Sequence, residues 1–331
     1  MKTNTRQIFL KIIDKKGQVR PKDLVENLQI SSVAVHKHLK KLLKQNKITK
    51  IGKPPLVFYK LKKDVSSRQK DLKKIDKTSK DFIDNNYLQV TATGEMLMGM
   101  KGFVNWFKET QPSQIFQSLV QEYVEIRSRS LKSRNKNGLL SAKKKFTDTF
   151  EGCFLDDAFY ADFYSLPKFG KTKLGQKVLY AKQSQNIKLM KQIVVDIKDK
   201  LNQLIKLKKI QASAFVPHSV PRKKPLLKII KKSLNLSIPN IEVVKAYTGD
   251  VIVAQKSLSK LKDRVQNARE TLIIKNAAVD FKRVLIIDDA VGSGATLNEI
   301  AKKLKQRSGV DKVYGFAIVG SMKGFEVITE I

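Results

Sequence analysis

Residues 284–296 read VLIIDDAVGSGAT, and this stretch decides the fold of the C-terminal half of the chain. The apolar run VLII is typical of a strand that is buried on both faces of a parallel sheet. Asp288 and Asp289 follow where we expect the strand to end, at the edge where open α/β sheets bind ligands. The amphipathic segment TLNEIAKKLKQR then predicts a helix that begins at about Thr296. The pattern therefore predicts a strand, a loop and a helix around a ligand site.

The loop between this strand and helix has the composition of a phosphate-binding loop. Its glycines let the backbone curl so that successive N–H groups point into one concavity, and the helix N-terminus adds its positive end. Two adjacent carboxylates suit the paired hydroxyls of ribose and favour a hydrated Mg²⁺ nearby. The alternative is an acidic strand end and a glycine turn without a ligand. The predicted phosphate-loop residues are Val291, Gly292, Ser293, Gly294, Ala295 and Thr296.

Strands alternate with helices over residues 154–331, which predicts a mostly parallel, doubly wound α/β sheet. A long amphipathic helix is predicted near Val178 to Leu207, and the helix LLKIIKKSL follows the loop PHSVPRKKP. The predicted strands are ASAFV, IEVVKAY, TLIIK, VLIID and KVYGFAIV.

The acidic strand end and its loop resemble the signature of type I phosphoribosyltransferases. The resemblance implies the fold of that family and phosphoribosyl pyrophosphate as ligand. It also implies that Asp288 and Asp289 hold the ribose hydroxyls as the catalytic pair, and that residues 292–296 hold the 5-phosphate. Ala290 departs from the pattern, in which a larger aliphatic residue is usual.

The segment from Gln255 to Asn267 resembles the ComF branch of that family, through Gln255, Lys256, Leu258, Ser259, Arg264 and Asn267. Two features depart from that branch. A winged helix is predicted at the N-terminal end, where ComF proteins typically carry a cysteine zinc ribbon. The Arg-Gly-Phe-Asn-Gln stretch expected after the first loop is replaced by Arg222-Lys223-Lys224-Pro225.

In this family the loop after the first core strand normally contacts pyrophosphate. Here that loop offers donors and cations suited to a dense anion, although a solvated basic turn is the alternative reading. The loop 248–270 is placed like the mobile lid of these enzymes, with Lys260 also a candidate to close over the ligand. The pyrophosphate candidates are His218, Ser219, Arg222, Lys223, Lys224, Lys256 and Arg264.

Residues 1–62 have the order of a winged helix-turn-helix domain: three helices and then two short strands joined by Gly52-Lys53-Pro54-Pro55. Ser31 is placed to cap the third helix, whose predicted inward residues include Val33, Val35 and Leu39. The outer face of that helix and the hairpin are basic, which favours DNA, whereas a helical domain for protein contacts is the alternative. The DNA-binding candidates are Ser32, His36, Lys37, Lys40, Lys41, Lys50 and Lys53.

Residues 63–80 are polar and charged, and we predict a linker or a solvated helix there. Residues 81–153 are predicted to be a mostly helical connecting region with Trp106 in its core. Its basic tract, residues 127–145, is predicted to be a solvated loop, with a nucleic-acid contact as the alternative.

Composition limits the classes of function. The chain has 331 residues with a formal net charge of +36, which attracts polyanions such as DNA. The single cysteine excludes an internal disulfide and a multi-cysteine zinc site. No apolar run approaches the roughly 20 residues that span a bilayer, and no secretory signal is evident, so a cytoplasmic protein without membrane contact is expected.

These observations favour a DNA-binding protein that responds to phosphoribosyl pyrophosphate as a transcriptional regulator, with Mg²⁺ as the expected cofactor. The alternative is an active Mg²⁺-dependent transferase that joins phosphoribosyl to a nitrogenous base and releases pyrophosphate. A third hypothesis, from the ComF resemblance, is an accessory protein in DNA uptake or processing. Winged-helix regulators often pair on symmetric DNA, so a homodimer is also considered.

Overall fold

The computed structural model describes residues 5–62, 75–111, 114–247, 249–275, 281–307 and 309–322, without the side chains of Lys53 and Arg307. The chain divides into two compact units, residues 1–74 and 75–331. Among the described residues, no helix is both long and apolar enough to cross a membrane.

The first unit has the predicted order of elements. Helices α1 (Thr5–Lys16), α2 (Pro21–Leu28) and α3 (Ser32–Lys44) precede strands β1 (Ile48–Lys53) and β2 (Leu56–Leu61). The strands form an antiparallel hairpin, and an isolated bridge from Val19 to Tyr59 adds the segment between α1 and α2 to its edge. Phe9, Leu24, Val35, Leu39 and Leu42 form the core that joins the helices to the hairpin.

Helix α3 begins where the sequence predicts, because the Ser31 side chain accepts a hydrogen bond from the Ala34 backbone N–H at 3.2 Å. The prediction that Val33 points inward was wrong. Val33 is 79% exposed, because the buried face of α3 consists of Val35, Leu39 and Leu42. The predicted linker at 63–80 falls mostly outside the described residues, which resume at residue 75.

The second unit opens with a small helical layer. It comprises α4 (Lys77–Asn86), the antiparallel strands β3 (Leu88–Val90) and β4 (Met96–Met98), α5 (Gly99–Thr110) and α6 (Phe116–Lys132). Aromatic residues pack its core, and Phe103 lies 5.4 Å from Trp106 and 5.3 Å from Tyr123 between ring centroids. Trp106 is therefore a core residue, as predicted.

Residues 127–145 are not a solvated loop. Arg127 is 4% exposed on α6, and its guanidinium donates to both carboxylate oxygens of Asp162 at 2.8 and 2.7 Å. Arg134 adds a third contact to Asp162 at 3.0 Å. Although burial alone would raise it, the hydrogen bonds and charge of Arg127 hold the pKa of Asp162 below its usual range. The remainder of the tract includes β5 (Leu140–Ser141) and the start of α7 (Lys143–Thr149).

The main sheet of the described residues contains β5 and five further strands: β6 (Asp157–Phe163), β9 (Ala212–Phe215), β10 (Asn240–Ile241), β13 (Arg283–Val291) and β14 (Lys312–Gly320). Their order is β10–β9–β13–β14–β6–β5, and all neighbours are parallel except β5 and β6. The mostly parallel α/β sheet that strand and helix alternation predicts is thus confirmed.

Helices cover this sheet, and two small hairpins accompany it. The helices are α8 (Lys173–Ser184), α9 (Ile187–Lys208), α10 (Leu226–Leu234), α11 (Leu261–Thr271) and α12 (Ala295–Arg307), with a 3-10 turn at Gln255–Ser257. The hairpins are β7 (Ser165–Leu166) with β8 (Gly170–Lys171), and β11 (Val243–Lys245) with β12 (Leu272–Ile274).

Two predicted elements differ from the structure. The helix predicted near Val178 to Leu207 is two helices, because Gln185 adopts a left-handed conformation (φ 51°) that ends α8. The Asn186 side chain then caps α9 by accepting from the Leu189 N–H at 3.1 Å. The predicted strand 241–247 is also divided, since β10 pairs with β9 whereas β11 turns away to pair with β12.

Candidate functional site

Asp288 and Asp289 lie on β13 beyond the end of its neighbour β9. Four fully buried residues, Val284 to Ile287, lead up to them. Pairing with β9 ends at Ile287 opposite Phe215, whereas pairing with β14 continues to Val291 opposite Gly320. The strand therefore runs two residues past the acidic pair, where the sequence predicts its end. Because β9 stops first, one side of β13 is open there, and both carboxylates line a cavity of about 590 Å³.

The two carboxylates have different electrostatic surroundings. Asp289 is 8% exposed, and its oxygens lie 2.8 and 3.1 Å from the ammonium of Lys182 on α8. Burial and the neighbouring charge of Asp289 raise the pKa of Asp288 to about 7, and Lys182 opposes that rise. The site thus places a carboxylate that is paired with an ammonium next to one that titrates near neutral pH.

The glycine loop connects β13 to the N-terminus of α12. The helix begins at Ala295, within one residue of the prediction, and the Ser293 hydroxyl accepts from the Ala295 N–H at 3.3 Å. Gly294 has φ +87°, which disfavours any residue with a side chain. Of the predicted phosphate-loop residues, all but Ala295 line the cavity: Val291, Gly292, Ser293, Gly294 and Thr296.

Phe146 on α7 supports this loop from behind, and sequence reasoning did not find it. A Cβ on Gly294 would lie 2.5 Å from the Phe146 ring, so the ring and the loop are in direct contact. Asn298 on α12 reinforces the same side by accepting from the Phe154 N–H at 2.8 Å and donating to the Gly152 carbonyl at 3.0 Å. The loop is therefore held by residues that precede the first long strand of the sheet.

The loop 217–225 contributes three of its five predicted residues to the cavity. His218, Ser219 and Arg222 line it, whereas Lys223 and Lys224 are exposed and lie outside the lining. The Arg222 guanidinium donates to the Lys182 carbonyl at 2.5 Å, and the Lys224 N–H donates to the Gln185 side chain at 2.8 Å. These contacts fix the loop to the C-terminal end of α8. The assignment of its residues to pyrophosphate stays a prediction.

The segment 249–271 brings Lys256 and Arg264 to the cavity, and Lys260 lies outside its lining. The Gln255 amide donates to the Arg264 carbonyl at 2.9 Å and to Asn267 at 3.1 Å. The Arg264 guanidinium donates to the Leu258 carbonyl at 2.7 Å, and burial lowers its pKa. Most of the residues that carry the ComF resemblance thus form hydrogen bonds within this segment.

Four lysines line the cavity without having been predicted: Lys182, Lys228, Lys231 and Lys245. Lys182 was hidden because its partner Asp289 lies 107 positions away in the sequence. Lys245 on β11 donates to the Asn267 side chain at 3.0 Å and lies over the Tyr247 ring. Burial lowers the pKa of Lys245 to about 8. Val243, Val244 and Leu272 give the same wall an apolar surface.

The acidic pair offers two carboxylates of the cavity lining to a metal ion. Among the described residues, no cluster of three or more His, Cys, Asp or Glu side chains could hold a metal ion. One of the two carboxylates is already paired with an ammonium. Mg²⁺ is commonly bound through one or two carboxylates together with substrate phosphates, and the residues present fit only that indirect mode.

In the first unit, the outer face of α3 is basic and solvent-exposed. The ion pairs found among the described residues of this unit are Arg20–Asp23 and Lys22–Glu26, which involve α2 and its N-cap rather than the lysines of α3. Lys53, a further DNA-binding candidate, has its side chain outside the described residues. The other candidates are all exposed: Ser32, His36, Lys37, Lys40, Lys41 and Lys50.

Comparison with known proteins adds little to this geometry. No protein-family model and no curated protein matches the chain. Among solved structures, a hypoxanthine phosphoribosyltransferase from Staphylococcus aureus is similar over 42% of this chain and 71% of its own, at 16% identity and a TM-score of 0.25.

Proposed function

We propose that the second unit binds phosphoribosyl pyrophosphate or a closely related ribose phosphate in the cavity beside β13. One observation carries this proposal. The acidic pair, the glycine loop at the start of α12 and cations from two other loops line a single cavity. Carboxylates suit ribose hydroxyls, converging N–H groups suit a phosphate, and arginine suits a pyrophosphate. Mg²⁺ would enter with the phosphates of the ligand.

Calorimetric titration with phosphoribosyl pyrophosphate in the presence of Mg²⁺ tests this directly. We expect a single site on the wild-type protein and a loss of at least about tenfold in affinity for Asp289→Asn, because a charged hydrogen-bond acceptor is removed. Ribose without phosphate should bind far more weakly. A wild-type protein that fails to bind either phosphoribosyl pyrophosphate or ribose 5-phosphate contradicts the proposal.

We further propose that the first unit binds DNA and that the ligand alters this binding, which makes the protein a ligand-responsive transcriptional regulator. The support is the order of three helices and a hairpin, and the exposed lysines of α3. If the ligand changes DNA affinity, DNA must change ligand affinity by the same factor. An electrophoretic shift assay on a random-sequence duplex pool, with and without phosphoribosyl pyrophosphate, tests both parts. Binding that does not respond to the ligand excludes the regulator and leaves a DNA-binding protein.

A transferase is the second candidate, and the apolar wall of Val243, Val244 and Leu272 favours it. That wall lies in the same cavity as the acidic pair and could take the flat face of a nitrogenous base. In that reaction the bond from the ribose C1 to pyrophosphate breaks, a bond from C1 to the base nitrogen forms, and the proton of that nitrogen passes to solvent. The carboxylates stabilise the positive charge that develops on the ribose. Pyrophosphate release measured over a panel of bases tests it. Turnover that Asp289→Asn abolishes would establish the enzyme.

A further inference from the structure

The ion pair between Lys182 and Asp289 lies within the lining of the cavity. Both side chains are largely buried, with 23% and 12% of their surfaces exposed. The ammonium lies close to both oxygens of the carboxylate, at 2.8 and 3.1 Å. In a partly buried cavity, solvent and salt screen such a pair much less than at the surface. Lys182 therefore offsets the charge of Asp289 at the place where an anionic ligand would have to enter.

The backbone around Lys182 is fixed by other contacts. Its carbonyl accepts the hydrogen bond from Arg222, and three residues later the Gln185 side chain accepts from the Lys224 N–H. The C-terminal end of α8 is thus tied to the loop 217–225, and the Lys182 side chain extends from that end to β13. These backbone contacts and the ion pair with Asp289 together fix the position of the Lys182 ammonium.

A phosphorylated ribose next to two carboxylates brings like charges together. A cation must offset that repulsion, either a divalent ion from solution or a side chain of the protein. We propose that Lys182 is the internal counter-ion of this site, so that a ribose monophosphate binds without a divalent cation. This inference rests on the proposed function, because it presumes a ribose-phosphate ligand.

The experiment is calorimetric titration of the full chain with ribose 5-phosphate, once in Mg²⁺ and once in EDTA. This probe lacks the pyrophosphate group, so a requirement for Mg²⁺ reports on the carboxylates rather than on the leaving group. For the wild-type protein we expect less than about a threefold difference in affinity between the two conditions, given the ammonium already at Asp289.

Three variants isolate the charge of Lys182. Lys182→Met should bind at least about tenfold more weakly in EDTA and regain most of that loss in Mg²⁺, because the metal ion replaces the missing cation. Lys182→Arg keeps the charge and should behave like the wild type. Lys191→Met is the control for net charge, since Lys191 is an exposed residue of α9 outside the cavity lining.

A double-variant cycle shows whether Lys182 acts through Asp289. In the Asp289→Asn background the carboxylate that Lys182 contacts has lost its charge, so Lys182→Met should cost less than about threefold in EDTA. An equal cost in both backgrounds overturns the counter-ion role. Should Lys182→Met fail to fold by circular dichroism, Lys182→Gln carries the same test, because it keeps a donor without the charge.

Failure of this inference can be separated from failure of the proposed function. If the wild-type protein binds ribose 5-phosphate and Lys182→Met binds it equally well in EDTA, only the role of Lys182 is wrong. A wild-type protein that needs Mg²⁺ as much as Lys182→Met overturns it in the same way. If the wild-type protein binds the probe in neither condition, the ribose-phosphate site itself is wrong and Lys182 loses its role with it.

Discussion

The two units place their charged side chains in opposite ways. Residues 1–74 contain 21 lysines and arginines against 5 acidic residues, and the lysines on the outer face of α3 are exposed. Residues 75–331 contain 45 against 25, and several of these charges are buried in contact with a partner, as in Arg127–Asp162 and Lys182–Asp289. Exposed cations can bind a long polyanion, and salt weakens such binding. Charges that are fixed by a partner inside a cavity are suited to binding one small ligand.

The largest effect that would sharpen this contrast is on the stability of the second unit. Asp162→Asn should lower the free energy of unfolding by about 3–5 kcal/mol, because Arg127 and Arg134 would be left buried without a carboxylate. Urea unfolding monitored by Trp106 fluorescence measures it.

The matched control is Glu95→Gln, which removes the exposed Lys101–Glu95 pair, where both side chains are more than 60% exposed. That change should cost no more than about 1 kcal/mol. Equal losses for Asp162→Asn and Glu95→Gln would mean that burial does not distinguish the ion pairs of this protein.

The next largest expected effect is a loss of DNA binding by the first unit. Lys40→Ala combined with Lys41→Ala should weaken DNA binding on the order of a hundredfold at low salt and make the plot of log affinity against log salt shallower by about 2, since two phosphate contacts are lost. Fluorescence anisotropy over a series of salt concentrations gives both numbers.

Lys15→Ala combined with Lys16→Ala removes the same charge from exposed positions of α1 and provides the comparison. If both pairs of changes have the same effect, the outer face of α3 has no special role and net charge alone attracts DNA.

A smaller effect is expected at the glycine loop. Gly294→Ala should weaken ribose 5-phosphate binding about tenfold, because a side chain is strained at φ +87° and would clash with Phe146. Gly249→Ala is the control, since a Cβ there meets nothing within 4 Å. Unchanged affinity for Gly294→Ala would show that the shape of the loop does not matter for binding.

The smallest expected effect is a change in how the stability of the second unit depends on pH. The raised pKa of Asp288 means that the folded protein holds a proton there up to about pH 7, whereas the unfolded chain releases it near 3.8. This group therefore lowers stability progressively as the pH rises from about 4 to 7, and the loss is complete above 7. Asp288→Asn should raise the melting temperature by a few degrees (~2–5 °C) at pH 8 and by less at pH 5. The opposite order at the two pH values would contradict the raised pKa.

The sequence predicts best where the signal is local. The strand VLII and the helix after the glycine loop were placed to within a residue or a few, because buried apolar runs and glycines act on their own neighbours. The break at Gln185 was missed because the apolar periodicity continues across it and a left-handed glutamine has no clear signature. Asn186, a good capping residue, was the signal available there.

Contacts between distant parts of the chain were beyond reach. Arg127 was placed in a solvated tract because its neighbours are basic, and its partner Asp162 lies 35 positions away. Lys182 and Phe146 complete the candidate site from segments that carry no motif of their own. The acidic pair and its loop were identified, whereas most of what positions them was not.

The contact between Phe146 and Gly294 decides where the second unit can be cut. A fragment that begins at residue 154, where the alternation of strands and helices becomes evident in the sequence, would lose the ring behind the glycine loop and the edge strand β5 that pairs with β6. It would also lose the Gly152 carbonyl that accepts from Asn298. A fragment that begins at residue 75 retains all three contacts. We therefore expect the binding loop to keep its shape in that fragment.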